Sequence, residues 1–263
     1  MHDETVLLTR DGAVAWLRLN RPGAMNALDA ATLHSLDRHL TRLGAEPATR
    51  VVVLTGTGRA FCAGADLKAV ADSGGGVQPD TVIDFVRHIG RVVTKLATFP
   101  KPVIAAVNGL ALAGGLELLL ACDLVVASDQ ARIGDAHANY ALLPVAGGSA
   151  RLPRLVGPRL AKQLLFTGAS VPAADLVARG LVNEVVPADE LQRRTTELAR
   201  TIAEKSPLTL AHMKRLVADG LDQPLAGALR LELDTIEAYV ASDDIREGLA
   251  AFRDKRTPVY QGR

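Results

Sequence analysis

The chain has 263 residues, 48% of them apolar and 22% charged, a balance that excludes disorder as its main state and suits a large buried core. Its 30 basic side chains are matched by 29 acidic ones, so no net charge drives it onto nucleic acid or an anionic membrane, and any anion site must be local. The only cysteines, Cys62 and Cys122, stand in apolar contexts without metal-ligand spacing, so neither a disulfide framework nor a metal site is expected.

Residues 1–10 lack the basic, apolar and small-residue succession of a secretory signal, and no apolar stretch is long enough to span a bilayer. A cytoplasmic protein is the expectation. Residues 5–20 read as a hairpin turning at Asp11-Gly12. A helical apolar rhythm follows over 30–43. The runs 50–56, 102–109, 123–128 and 181–187 are nearly continuous apolar stretches, the pattern of strands buried on both faces. Helical segments between them predict an α/β core. Residues 72–80 (DSGGGVQPD) read as a loop. Beyond Pro187 only helices are predicted, with Ser206 and Ser242 as caps, so the chain divides into a core over 1–190 and a helical oligomerisation region over 191–263.

Two glycine-containing turns carry candidate chemistry. In FCAGADLKAV (61–70), Gly64 between two alanines lets a ligand approach the backbone, and Asp66 stands ready to cap a helix from Leu67; an ordinary strand-turn-helix junction explains the same residues. In the run 102–128, a buried strand ends at Asn108-Gly109 and Gly114-Gly115 opens an apolar helix whose unpaired amides favour negative charge. Glu117 lies in its first turn among Leu116, Leu118, Leu119 and Leu120. It reads either as an acid complementing the helix dipole or as a partly desolvated general base.

These motifs, with LNRPGAMNAL (19–28), AFCAGADL (60–67), LPVAGGSARLPRLVG (143–157), AADLVARGLVNEVVP (173–187) and EGLAAFRDKRTPVY (247–260), resemble the enoyl-CoA hydratase/isomerase (crotonase) family along almost the whole chain. The resemblance implies a spiral of repeated ββα units with a C-terminal helical region for trimerisation, often as hexamers of paired trimers. It implies an acyl-CoA substrate, with coenzyme A present only as part of that thioester and no permanently bound cofactor. The backbone amides of Ala65 and Gly114 would form an oxyanion hole and Glu117 would activate water. Ala63, Ala65, Leu67 and Lys68 would line the CoA path, and Phe252 and Lys255 would meet the nucleotide.

The sequence departs from the hydratase pattern where a second glutamate is expected, in IGDAHANYALLP (133–144): that position holds His137. Imidazole serves as acid or base near neutral pH, so Glu117 and His137 form the expected pair, with Asp135 either orienting the histidine or acting itself; a pocket-wall role for His137 is the alternative. Hydration of a 2-enoyl-CoA is the leading expectation. Isomerisation, decarboxylation or thioester hydrolysis using His137, and a CoA-binding paralogue without turnover, stand beside it. His34, His39, His88 and His212 are read as solvated, Asp123 as structural, and Arg21 as either a phosphate contact or a turn anchor. A Clp-type serine protease fails for want of a serine at 114–116, and a dinucleotide dehydrogenase for want of GxGxxG after the first strand.

Overall fold

The computed structural model describes residues 4–68 and 78–263. Strands β1 (Val6–Asp11) and β2 (Val14–Leu19) pair antiparallel, and β2 then leads a parallel array through β3 (Val51–Gly56), β5 (Val103–Val107), β7 (Leu124–Ser128) and β10 (Glu184–Val186). A second sheet is built from three-residue strands, in the order β4 (Ala60–Cys62), β6 (Leu110–Leu112), β8 (Arg132–Gly134) and β9 (Ser170–Pro172). Each long strand of the first sheet is followed by a short strand of the second: β3 by β4, β5 by β6, β7 by β8. Each pair then runs into helix, and repetition of this ββα turn advances the chain as the expected spiral.

Period-two alternation separates two cores. Val52, Leu54, Val103 and Ala105 face the main core with α1 (Ala30–Ala45), α2 (Pro79–Ala97) and α3 (Gly114–Leu120), while Val51, Val53, Ile104 and Ala106 face the opposite side. That opposite side is covered by Leu191 and Ala199 of α6 (Leu191–Ala203). The first helix beyond residue 190 therefore packs on the sheet. After α4 (Gly148–Val156) and α5 (Pro158–Thr167), the chain ends in α7 (Pro207–Leu221), α8 (Leu225–Tyr239) and α9 (Asp243–Arg253). Ser206 and Ser242 accept the amides of Thr209 and Ile245, the caps read from sequence.

Several expectations need correction. The hairpin turns at Gly12-Ala13, with Asp11 still paired to Val14, because Gly12 takes the left-handed conformation (φ +58°). The loop expected over 72–80 lies outside the described residues from 72 to 77, and its end belongs to α2, where Pro79 starts the helix. His39 is buried in α1 against the sheet and burial lowers its pKa. His88 is half-buried, its ring edge-on to His34 at 4.6 Å. Asp123 is structural as expected: it accepts the Val103 amide (2.7 Å) and the Lys214 ammonium (2.8 Å), tying α7 to the core. Among the described residues no helix is long and apolar enough to cross a membrane.

Candidate active site

Two turns meet at one end of the spiral. After β4, Gly64 (φ +102°) turns the chain so that Leu28 bonds to the Gly64 carbonyl and the Asp66 amide, each across one parallel bridge. That bridge spends the groups on either side of Ala65 and directs the Ala65 N–H away from Leu28. The second turn ends β6 at Ala113, whose φ of +51° is unusual for alanine and marks strain held by the fold. Gly114 then starts α3 with its amide unspent, as the first-turn donors of a helix are. Among the described residues neither the Ala65 nor the Gly114 amide donates a hydrogen bond.

The turns are in contact. A Cβ on Gly64 would stand 3.2 Å from the Gly114 nitrogen, and one on Gly114 would stand 3.6 Å from the Ala65 nitrogen. At the next position a Cβ on Gly115 would sit 2.0 Å from the Cys62 carbonyl oxygen, so only glycine lets α3 approach β4 this closely. Cys62 is itself fully buried, and burial pushes its thiol up to about 12. It is a packing residue there.

Both turns line one pocket with a cavity volume of about 90 Å³, bordered by Ala65, Leu67, Gly114, Glu117 and His137 on one side. Val82, Phe85, Val86 and Ile89 of α2 with Leu142, Leu143, Val145 and Ala146 complete an apolar wall, to which no lysine or arginine contributes among the described residues. Glu117 is 2% exposed. Its Oε1 accepts the amides of Ala146 (2.7 Å) and Gly148 (2.9 Å), leaving Oε2 without a hydrogen bond among the described residues. Burial raises its pKa above the ordinary glutamate value, against the Gly148 amide, the charge of His137 and the Ala146 amide, which lower it; Asp135 adds to the rise. Of the two readings of Glu117, the partly desolvated carboxylate is the one with these surroundings.

His137 begins a short 3-10 turn (His137–Tyr140) just after β8. Its Nδ1 lies 2.9 Å from Oδ2 of Asp135, and its amide donates to Oδ1 of the same carboxylate at 3.1 Å. Asp135 is 1% exposed and His137 9%.

The fold thus gathers Ala65, Leu67, Gly114, Glu117 and His137 around one pocket, with Ala63 half-buried just before the first turn. Lys68 is exposed beside Leu67, and Phe252 and Lys255 are exposed near the chain's end; none of the three lines the pocket. Arg21 anchors turns, donating to the Ala27 carbonyl (2.6 Å) and to Asp66 (2.8 Å), with Asp29 at 3.3 Å. Two asparagines do more than the sequence suggested, where Asn108 marked only a strand end and Asn26 stood only within a family motif. Asn26 donates to the carbonyls of Thr57 and Ala60, and Asn108 to those of Gly58 and Ala60 while accepting the Gly56 amide. Together they fix the β3–β4 corner that delivers Ala65; the Asn-Gly dipeptide closing β5 was the available signal. Among the described residues no group of three or more His, Cys, Asp or Glu side chains is placed to hold a metal ion.

Comparison with known proteins agrees with this geometry. The family model described as enoyl-CoA hydratase/isomerase matches residues 9–263. The chain is 37% identical over 258 residues to the 2,3-dehydroadipyl-CoA hydratase of Escherichia coli, covering 98% of this chain and 99% of that one. It is 35% identical to the crotonyl-CoA hydratase of Syntrophomonas wolfei, covering 96% of each. The crystal structure of an enoyl-CoA hydratase from Bacillus anthracis superposes with a TM-score of 0.94 at 39% identity, covering 98% of this chain and all of that one.

Proposed function

We propose that this chain, which belongs to the enoyl-CoA hydratase/isomerase (crotonase) family, is a hydratase that adds water across the double bond of a 2-enoyl-CoA. That it is an enzyme of acyl-CoA hydratase or isomerase chemistry follows from the family; hydration is the finer reading. The observation that carries it is the junction of two unspent amides and a buried carboxylate, its pKa raised by burial, on one apolar pocket.

In this reading the thioester oxygen sits between the Ala65 and Gly114 amides. As the water oxygen bonds to the β-carbon, the π electrons move toward that oxygen, and each preorganised donor contributes ~100- to 1000-fold in rate. Glu117 takes the proton of the water through Oε2, Oε1 being held by Ala146 and Gly148. His137 supplies the proton that the α-carbon takes when the enolate collapses. Coenzyme A belongs to the substrate, and the reaction as proposed calls on no permanently bound cofactor. Ala63, Leu67 and Lys68 remain proposed contacts of its pantetheine arm, and Phe252 and Lys255 proposed contacts of its nucleotide.

We treat residues 191–263 as the region that joins copies of the chain into a trimer, or a hexamer of two trimers, in the cytoplasm. What supports assembly is an apolar stripe along α7 (Met213, Val217, Leu221) and α8 (Leu225, Leu229, Leu233), each at least half exposed in the single chain.

The test is loss of enoyl absorbance with crotonyl-CoA and longer or branched 2-enoyl-CoAs. Turnover is expected, and Glu117→Gln is expected to lower it by about 100- to 10,000-fold. A fully active Glu117→Gln enzyme removes Glu117 as the base; release of free CoA without hydration replaces the hydratase by a thioester hydrolase.

A further inference from the structure

We propose that Asp135 is a positioning residue that fixes His137 with its Nδ1–H toward the carboxylate and its Nε2–H toward the ligand, making an imidazolium the proton donor to the α-carbon. This deepens the hydratase reading and rests on it for the identity of the reaction, although the tautomer is a property of the free protein.

Four observations converge. One carboxylate holds both the backbone and the ring of the same histidine, Oδ1 to the amide and Oδ2 to Nδ1, which leaves Nε2 as the ring's remaining nitrogen. The residue between them, Ala136, has φ +62°, and this left-handed kink returns the His137 amide to the Asp135 side chain. Asp135 is almost fully buried and does not line the pocket, whereas His137 does. Glu117, whose Oε1 is already occupied, lines the same pocket.

A buried carboxylate accepting from Nδ1 dictates the tautomer of the ring, and it supplies the countercharge that an imidazolium in an apolar wall requires. The other elements around the histidine do not substitute for it. α2 and residues 142–146 bring only apolar groups to the pocket, and α5, packed against the 3-10 turn, carries Arg159 and Lys162 exposed on its surface.

The proton balance closes without any further reactant. Water gives its oxygen to the β-carbon and a proton to Glu117. The enolate takes the Nε2 proton onto the α-carbon, leaving neutral imidazole. The proton on Glu117 then returns to His137 through a water molecule. Each cycle thus starts with the proton to be delivered on Nε2 of His137 and with Glu117 able to accept one.

The test has a structural and a kinetic arm. Nitrogen-15 NMR of the histidine rings in the full-length protein should show Nδ1 of His137 protonated, and Asp135→Asn should shift that signal. A wild-type ring with Nδ1 unprotonated overturns the proposal whatever the enzyme catalyses. In the kinetic arm, Asp135→Asn should lower kcat about 30-fold or more, with KM within about threefold, both for hydration and for exchange of the α-proton of butyryl-CoA into deuterated water. In a His137→Glu background, where no ring needs orienting, the same change should cost less than about threefold. An equal loss in both backgrounds shows a merely structural role and overturns the proposal. Exchange without hydration removes the hydratase reading and leaves Asp135 to be judged on exchange alone.

Discussion

Gly64 and Gly114 lie on different turns of the spiral, yet a methyl group on Gly64 would come within 3.2 Å of the Gly114 nitrogen and 2.8 Å of the Ala113 Cβ. Their contact sets the separation between the two free amides. A methyl on Gly114 meets only ordinary distances, 3.4 Å to Gly64 Cα and 3.5 Å to Leu28 Cδ1, but it stands 3.6 Å from the Ala65 nitrogen. Gly114→Ala should therefore keep a melting temperature within about 2 °C of wild type and lose about 100-fold in kcat/KM, because it crowds the anion's place. Gly64→Ala, strained at φ +102° and blocked by Ala113, should lower the melting temperature by at least about 4 °C. Scanning calorimetry and initial rates on the two variants check the contrast; equal thermal losses would contradict it.

Glu117 offers a pH test with a definite sign. Burial raises its pKa in the folded protein, so over the range from the ordinary glutamate value up to the raised one, the native state holds more protons than the unfolded state. Its contribution is fully present at low pH and is lost as pH rises through the folded value. Glu117→Gln lacks that loss while keeping an oxygen for the Ala146 and Gly148 amides. Its melting temperature should match wild type near pH 4 and exceed it by about 2 °C or more at pH 7. Activity of the wild type should fall as pH drops through the same raised value, where the base becomes protonated. A thermal difference independent of pH would refute the assignment of strain to this carboxylate.

Lys214 should matter to stability through Asp123. That carboxylate is partly desolvated under α7, although solvent still reaches it, and desolvation raises its pKa with Lys214 pulling the other way. Lys214→Met removes the partner and should cost about 1 kcal/mol at pH 7, the pair being partly exposed. Less is lost at pH 4, where Asp123 takes up a proton more easily. Urea titrations at the two pH values read the difference, and an equal cost at both would show that charge is not the cause.

The apolar stripe on α7 and α8 predicts the assembly. Leu229→Asp with Leu233→Asp should convert a trimeric or hexameric wild type into monomer in analytical ultracentrifugation at micromolar concentration. A wild type already monomeric under those conditions would remove the proposed role of this region.

How much of this was legible in the sequence depended on element length. The runs around Val51–Gly56 and Val103–Val107 are long and apolar enough to declare buried strands, and both turns at Gly64 and Gly114 could be singled out as chemistry-bearing. The strands β4, β6, β8 and β9 were not individually visible, because three residues carry no usable periodicity. His39 sits between Arg38 and Leu40, and only tertiary packing of α1 decides that its ring points inward. The apolar lip at Leu142 and Leu143 was read only as part of a family motif, since its role depends on α2 lying opposite. Asp135 orienting His137 was one of two alternatives the sequence offered; the left-handed Ala136 that makes the contact was not legible, because alanine does not advertise that conformation.

Because the two proposed anion-facing donors belong to the main chain, no exchange of one side chain for another deletes them; the genetic code has few ways to take them away short of proline or misfolding. On the proposed reading, support for an enolate comes with the scaffold, while positions 117, 135 and 137 hold side chains that a substitution can exchange. New reactions on this framework should arise by trading acid and base groups opposite an unchanging cradle, and a library confined to those three codons is the economical place to look for them.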